Sequence, residues 1–314
     1  MTRVAAIDCG TNSVRLLIAD VPAGGAAGGG ALADVERVME IVRLGEGVDR
    51  TGRLAAEALE RTFAAMRGYA KLIAQHGAER TRVVATSATR DAANRDVFVA
   101  GVREIFGVEP EVITGAEEAE LSFIGATRGL TGHPEPYLVV DIGGGSTEFV
   151  VGSSGSLAGA LSVDIGCVRL SERHLRQAGD PPAAAAVEAV AADVEAALSR
   201  VEAAVPVARA RTLVGLAGSV TTVAGIALGL PSYDPERIHH ARIDAARVHE
   251  VSARLLAMTH DERAALGVMH PGRVDVIGAG ALILDRIVRR FAFTEVIVSE
   301  HDILDGIAWS ITTN

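Results

Sequence analysis

Two short stretches of the chain join an acidic residue to glycine and hydroxyl side chains at a spacing suited to phosphate chemistry. The first is Asp8-Cys-Gly-Thr-Asn12-Ser13 and the second, offset by 133 residues, is Asp141-Ile-Gly143-Gly144-Gly145-Ser146. Both read Asp-x-Gly-x-x-Ser between two apolar runs. Glycine lets backbone N–H groups approach an anion closely, and an Asp beside them can hold a hydrated divalent cation. The same residue types also favour ordinary polar hairpin tips, so one copy would say little. The second copy, and a third turn at Gly218-Ser219, point to a clamp for phosphate. The third turn follows an apolar strand and opens a helix expected from about residue 220, whose N-terminal amides carry partial positive charge. Ser219 is equally suited to capping that helix.

Two further stretches offer charged groups. In Thr114-Gly-Ala-Glu117-Glu118 the Thr-x-x-Glu spacing is that of a capping box, which gives Glu117 a structural duty. Glu118 has none, and lies roughly 100° further round the helix, where a carboxylate can orient and deprotonate an attacking water. A Glu in a first turn can also simply complement the helix dipole. Arg90 follows a Thr/Ser-rich segment after a strand and falls at the start of a helix expected over residues 90–106, a position the dipole disfavours for a cation. That conflict suits an arginine kept for an anion, since a planar guanidinium pairs well with phosphate oxygens; a solvated surface residue is the plainer reading. Arg169, Arg173, His239 and His240 form no metal-ligand spacing and are left unassigned, and no Cys-His cluster, Gly-x-Ser-x-Gly elbow or Walker loop is found.

These residues need elements to position them. Apolar runs at 4–7 and 14–19, and again at 137–140 and 149–151, predict a strand-turn-strand figure made twice. Between the copies, helices are expected at 54–75, 90–106 and 117–125, with strands at 82–85 and 111–113. After the second copy, helices are expected at 182–205, 276–290 and 303–311, with strands at 212–216 and 295–298. Strand-then-helix alternation predicts an α/β layer in each half. Val187, Val190, Val194, Leu198 and Val201 form a stripe at helical spacing that reads as core. The glycine-rich tract at 24–30 lacks the strand-then-helix context of a nucleotide fingerprint and reads as a connection between neighbouring strands.

The chain has 314 residues, enough for two domains each with its own core. With 49% hydrophobic and 22% charged residues it is not a disordered chain, and a net charge of −10 argues against non-specific nucleic-acid binding. A polyanion would have to be held by a few placed arginines and backbone amides. Two cysteines, Cys9 and Cys167, make no disulfide framework and point to a reducing cytoplasm. No signal peptide or membrane span is expected.

Ala6-Ile-Asp-Cys-Gly-Thr-Asn-Ser13, Ala85-Thr-Ser-Ala-Thr-Arg90, Ile113-Thr-Gly-Ala-Glu-Glu-Ala119, Val140-Asp-Ile-Gly-Gly-Gly-Ser-Thr-Glu148, Gly215-Leu-Ala-Gly-Ser219 and Pro271-Gly-Arg-Val-Asp275 stand in one order along nearly the whole chain. In this ordered set the sequence closely resembles the exopolyphosphatase/guanosine pentaphosphate phosphatase family of the actin-like, sugar-kinase-like superfold. The resemblance implies two ribonuclease-H-like domains with a cleft between them, residues 1–125 with a C-terminal helix at 303–314 returning to them, and residues 126–302. It implies that Glu118 is the catalytic base and that Asp141 and Asp8 are linked to Mg²⁺, with Mn²⁺ as an alternative. Asn12, Ser13, Gly143, Gly144, Gly145, Ser146, Gly218 and Ser219 would bind phosphate, and Arg90 would take a substrate phosphate. The expected reaction is release of orthophosphate from inorganic polyphosphate, by a homodimer. Longer members of the family add helical domains after this core, so the support those domains give to long-chain grip and processivity is not expected here. The rival readings are hydrolysis of guanosine pentaphosphate, which needs a guanine pocket in a chain only 4% aromatic, and a phosphate-ligand sensor or kinase-like module without this turnover.

Overall fold

Residues 1–22, 30–154 and 156–311 are described by a computed structural model. The glycine-rich tract at 24–30 lies, apart from Gly30, outside the described residues.

The apolar runs flanking each Asp-x-Gly-x-x-Ser stretch form antiparallel strands. In the first half β1 (Thr2–Cys9) and β2 (Ser13–Val21) pair from Thr2 with Val21 to Cys9 with Val14, and β3 (Ala33–Ile41) extends the meander at the edge. On the other side of β1, β4 (Arg80–Ala85) and β5 (Glu111–Val112) add in parallel, giving the order β3-β2-β1-β4-β5. The second half repeats the path. The meander is β6 (Tyr137–Ile142), β7 (Thr147–Ser153) and β8 (Ser156–Val163), followed across β6 by the parallel strand β9 (Thr212–Leu216). Beyond β9 come β10 (Arg242–Asp244) at the far edge and, between them, β11 (Glu295–Ser299), for the order β10-β11-β9-β6-β7-β8. This is a mixed α/β chain in which one pattern, an antiparallel meander extended across its first strand by parallel strands, is made twice.

The chain divides into two units, Met1–Gly129 with the segment from Asp302 onward, and Leu130–His301. In the first, alternation along β1 sends successive side chains to opposite faces. Ala5 and Ile7 join Met66 and Tyr69 of α1 (Ala56–His76) and Phe98 and Val102 of α2 (Arg95–Phe106). Val4 and Ala6 join Leu121 of α3 (Gly115–Thr127), and Leu304, Ile307 and Trp309 from a helix at the end of the chain. In the second unit one continuous core packs β6 and β7 against α4 (Ala184–Ala204), α5 (Ala217–Ala227), α6 (Ala245–Ala257) and α7 (Ile277–Arg290). Val190, Val194, Leu198 and Val201 of α4 are buried in it, as their spacing predicts.

The closing helix, α8 (Ile303–Ser310), crosses α3 at backbone contact. A Cβ on Gly125 would lie 1.8 Å from the Asp302 carbonyl oxygen, and one on Gly306 2.1 Å from that of Leu121. Arg128 completes the crossing by stacking 3.6 Å over the Trp309 ring.

The structure differs from the sequence-based expectations at several elements. The helix expected over 90–106 is two, Ser87–Asp91 and α2, because Asn94 leaves the helix to bridge Leu54: its Oδ1 accepts from Leu54 N at 2.8 Å and its Nδ2 donates to Leu54 O at 3.0 Å. The helix expected from about residue 220 starts at Ala217, so Ser219 lies within its first turn and makes no cap bond. The edge strands β3, β8 and β10 and the helix α6 had no expected range; β3 carries four charged residues in nine and β8 small residues, as suits edges half in water.

Candidate functional site

The first turn is closed by Gly10 N donating to Ser13 O at 3.0 Å, and the second by Gly143 N donating to Ser146 O at 3.1 Å, so the sequence repeat is also a repeat of hydrogen bonds. Asp8 and Asp141 occupy the same place, next to last in β1 and β6. Across the meander Asp8 faces Arg15, while Asp141 faces Glu148.

In the first unit Arg15 Nε and Nη2 donate to Asp8 Oδ2 at 3.0 and 2.6 Å, and its Nη1 donates to Asp302. Asp8 Oδ1 is buried with no hydrogen-bond partner, and so is Asn12 Oδ1. Burial pushes the Asp8 carboxyl above the ordinary carboxylate range, Arg15 only partly countering it. Thr11 Oγ1 lies 2.9 Å from Ser87 Oγ, which ties the turn to the short helix carrying Arg90.

Arg90 is in the last turn of that helix, not the first, so the helix dipole favours it and the conflict inferred from sequence disappears. Its Nη1 donates to Glu118 Oε2 and to the Ile113 carbonyl, both at 3.0 Å. Glu118 is only 7% exposed. Its neighbour completes the capping box: Glu117 N donates to Thr114 Oγ1 at 3.2 Å and Thr114 N to Glu117 Oε2 at 2.8 Å. These bonds hold the Glu117 carboxyl below its ordinary range. Adjacent glutamates thus have opposite settings, one capping in solvent and one buried on an arginine.

In the second unit the Gly143–Ser146 turn and the Gly218-Ser219 turn leave the carboxyl ends of neighbouring parallel strands, β6 and β9, about 4.8 Å apart. Ala217 opens α5 with φ 68°, a left-handed conformation rare outside glycine. At Gly218 a Cβ would lie 2.4 Å from the Arg273 guanidinium, so the missing side chain is what lets that arginine lie on the turn. Arg273 Nη1 also donates to Thr222 Oγ1 at 3.3 Å. Asp141 and Glu148, 7% and 1% exposed, are buried carboxylates on one face of the sheet.

Glu148, Arg273, Arg15 and Asp302 are therefore site candidates that the residue-by-residue reading did not pick out. Glu148 and Arg273 stand within the motifs that carry the resemblance; Arg15 and Asp302 have no local signal, because what marks them is a partner far along the chain. Asn12 and Ser13 of the first turn, Asp8 and Arg90 with Glu118 fall within the first unit, and Asp141, the glycine turn and Gly218-Ser219 within the second. Among the described residues no three His, Cys, Asp or Glu side chains form a cluster able to hold a metal by themselves, and no helix is long and apolar enough to cross a membrane.

Comparison with known proteins decides the lineage: the Ppx/GppA phosphatase family matches residues 18–314. The chain belongs to that family. Among Ppx/GppA relatives, Exopolyphosphatase 2 of Mycobacterium tuberculosis is 52% identical over 320 residues, covering 99% of both chains. A crystal structure of an exopolyphosphatase-like protein is 41% identical, with a TM-score of 0.93 over 99% of both chains. The Aquifex aeolicus Ppx/GppA member is 30% identical, with a TM-score of 0.80 over 99% of this chain and 98% of that one.

Proposed function

We propose that this protein is an exopolyphosphatase that hydrolyses the terminal phosphoanhydride bond of inorganic polyphosphate and releases orthophosphate. The observation that carries the reading is the pair of Asp-x-Gly-x-x-Ser turns closed by the same hydrogen bond in both units, since repeated backbone anion seats suit a substrate that is a row of phosphates. Kinship with a relative named Exopolyphosphatase 2 supports it.

Glu118 acts as the base. The Arg90 guanidinium favours its anionic form, and burial keeps bulk water from competing for it. Among the described residues the Nε and Nη2 groups of Arg90 have no partner, and these are assigned to a substrate phosphate. In the second unit Arg273, lying on the Gly218 turn, puts a positive charge beside that turn's anion seat. Phosphoryl transfer to water asks for little else than in-line placement and charge stabilisation.

The residues present fit Mg²⁺, with Mn²⁺ as the alternative. Asp8 keeps a buried oxygen without a protein partner, and in the second unit Asp141 and Glu148 offer two further buried carboxylates paired across β6 and β7, oxygen donors of the kind a hard cation takes. Mg²⁺ takes one or two carboxylates and completes its shell with water and phosphate. When bound it supplies positive charge against the phosphate oxygens. The reading includes a reducing compartment, supported by two buried free thiols at Cys9 and Cys167, and a two-fold dimer, to be read from light scattering.

One observation favours a second substrate, guanosine pentaphosphate. Tyr233 is 37% exposed, the one aromatic among the exposed large hydrophobic residues described, and its hydroxyl is pinned to Glu300 at 2.6 Å and to Thr221 of α5 at 2.8 Å. A partly exposed ring fixed at its hydroxyl can stack a base.

The test is orthophosphate release with Mg²⁺ from short polyphosphate, long polyphosphate and guanosine pentaphosphate in parallel, for the natural chain and Glu118→Gln. Release that falls by about 10²–10⁴-fold in the variant, with its melting temperature unchanged, establishes the enzyme and ranks its substrates. Binding without release in the natural chain would replace the enzyme with a phosphate-ligand sensor.

A further inference from the structure

The carbonyl oxygens of both phosphate turns are held from behind by segments that the reaction has not used. In the second unit, residues 166–169 follow β8. Cys167 N donates to Gly143 O at 3.0 Å, and Val168 N and Arg169 N donate to Gly144 O at 2.9 and 3.1 Å. Arg169 Nε donates to Gly145 O at 2.6 Å. In the first unit, residues 42–45 follow β3. Val42 N and Arg43 N donate to Asn12 O at 3.0 and 2.9 Å, and Gly45 N to Thr11 O at 2.9 Å. Under the repeat offset Thr11 corresponds to Gly144 and Asn12 to Gly145, so the same two carbonyls are taken in each half.

The two segments share more than their bonds. Each follows the third strand of its meander, and each has a glycine pressed on the turn. A Cβ at Gly166 would lie 2.3 Å from Gly144 O, and one at Gly45 would lie 2.3 Å from Thr11 Cγ2. Each also carries an arginine, Arg169 and Arg43. Arg43 holds φ 51°, a conformation that non-glycine residues adopt only where their surroundings impose it.

A trans peptide points its C=O and the N–H of the following residue in opposite directions. Carbonyls 143, 144 and 145 drawn to one side therefore put the amides of Gly144, Gly145 and Ser146 on the other. None of those three amides has an acceptor among the described residues. In the first unit the amides of Asn12 and Ser13 are turned the same way, away from the 42–45 segment. A run of three glycines can flip its peptide planes at low cost, and a flipped plane would aim a carbonyl at the anion.

We propose that segments 42–45 and 166–169 are a duplicated carbonyl clamp, with Arg169 a positioning residue that acts through the turn amides without touching substrate. Its charge on the Gly145 carbonyl also polarises the peptide whose N–H is that of Ser146. The proposal rests on the phosphate-binding reading of the turns and names the element that presets them.

The experiment titrates orthophosphate, the product, into the full chain and into Arg169→Ala and Arg169→Lys, following the amide signals of Gly144, Gly145 and Ser146 by ¹H–¹⁵N NMR. Melting temperature and the polyphosphate KM are measured in parallel. In the natural chain the three amides shift downfield together. Arg169→Ala is expected to bind orthophosphate about tenfold more weakly and to lose the concerted shift, at a melting temperature within a few degrees of the natural chain. Arg169→Lys recovers part of both, and carries the test if the alanine variant does not fold. Unchanged affinity and amide shifts in the variants would overturn the clamp, as would amides unmoved by phosphate in a natural chain that still cleaves polyphosphate. A natural chain that binds phosphate on these amides but releases none from polyphosphate would leave the clamp standing and remove the exopolyphosphatase reading instead.

Discussion

Arg90 joins two duties that a single substitution separates. One Nη holds Glu118 and the Ile113 carbonyl, while the rest of the guanidinium is assigned to substrate. Arg90→Ala is expected to raise KM for polyphosphate by roughly 10–100-fold, the cost of one charged hydrogen bond, and also to lower kcat because Glu118 loses the guanidinium that holds it in place. Arg90→Lys keeps the charge but cannot serve carboxylate and phosphate at once; it should restore kcat more than KM. Steady-state kinetics on the two variants checks this, and a variant with natural KM would remove Arg90 from the substrate. At this scale the difference between Glu117 and Glu118 was legible, because the Thr-x-x-Glu pattern assigns one and leaves the other. The argument for Arg90 from the helix dipole was not sound, since its helix starts at Ser87 and stops at Asp91, and Asn94, bonded to Leu54 forty residues away, opens a new one. Arg15 and Asp302 were illegible for the same reason: an ion pair across most of the chain leaves no spacing to read.

The helix that carries Glu118 depends on its first turn. The capping bonds hold Glu117 below its ordinary pKa, so the native state binds fewer protons than the unfolded one. The resulting stability is present above the ordinary glutamate value of about 4.3 and is lost as pH falls through the lowered native value. Glu117→Ala should lower the melting temperature at pH 7 and flatten its fall between pH 5 and 3, followed by circular dichroism. The far end of the same helix is tested by Gly125→Ala. A methyl 1.8 Å from a backbone oxygen cannot be accommodated by a side-chain rotation, so α3 and α8 must separate, at about 2–4 kcal/mol in a denaturant melt. Most central strands and the long helices other than α6 were readable from their apolar period. The edge strands β3, β8 and β10 were not, since an edge shields little and so needs little hydrophobic pattern.

At the scale of the molecule, the duplication visible as two Asp-x-Gly-x-x-Ser stretches extends to sheet order, turn closure and the segments behind the turns. The motif was legible because turn chemistry is local. The matching meanders and the bonds behind them were not, because they link residues brought together only by the fold. The second unit is one uninterrupted stretch with one core, so residues 130–301 expressed alone should melt cooperatively in calorimetry. Residues 1–129 alone should not, because Leu304, Ile307 and Trp309 complete one face of their sheet.

That returning helix also sets an order of events on the ribosome. Residues 130–301 are complete in sequence, and free to fold, before the helix that closes the first unit has been made. The Asp8 turn is translated long before Asp302, with which it shares Arg15. The earlier-made turn of the site is thus completed only after the whole of the second unit has been synthesised.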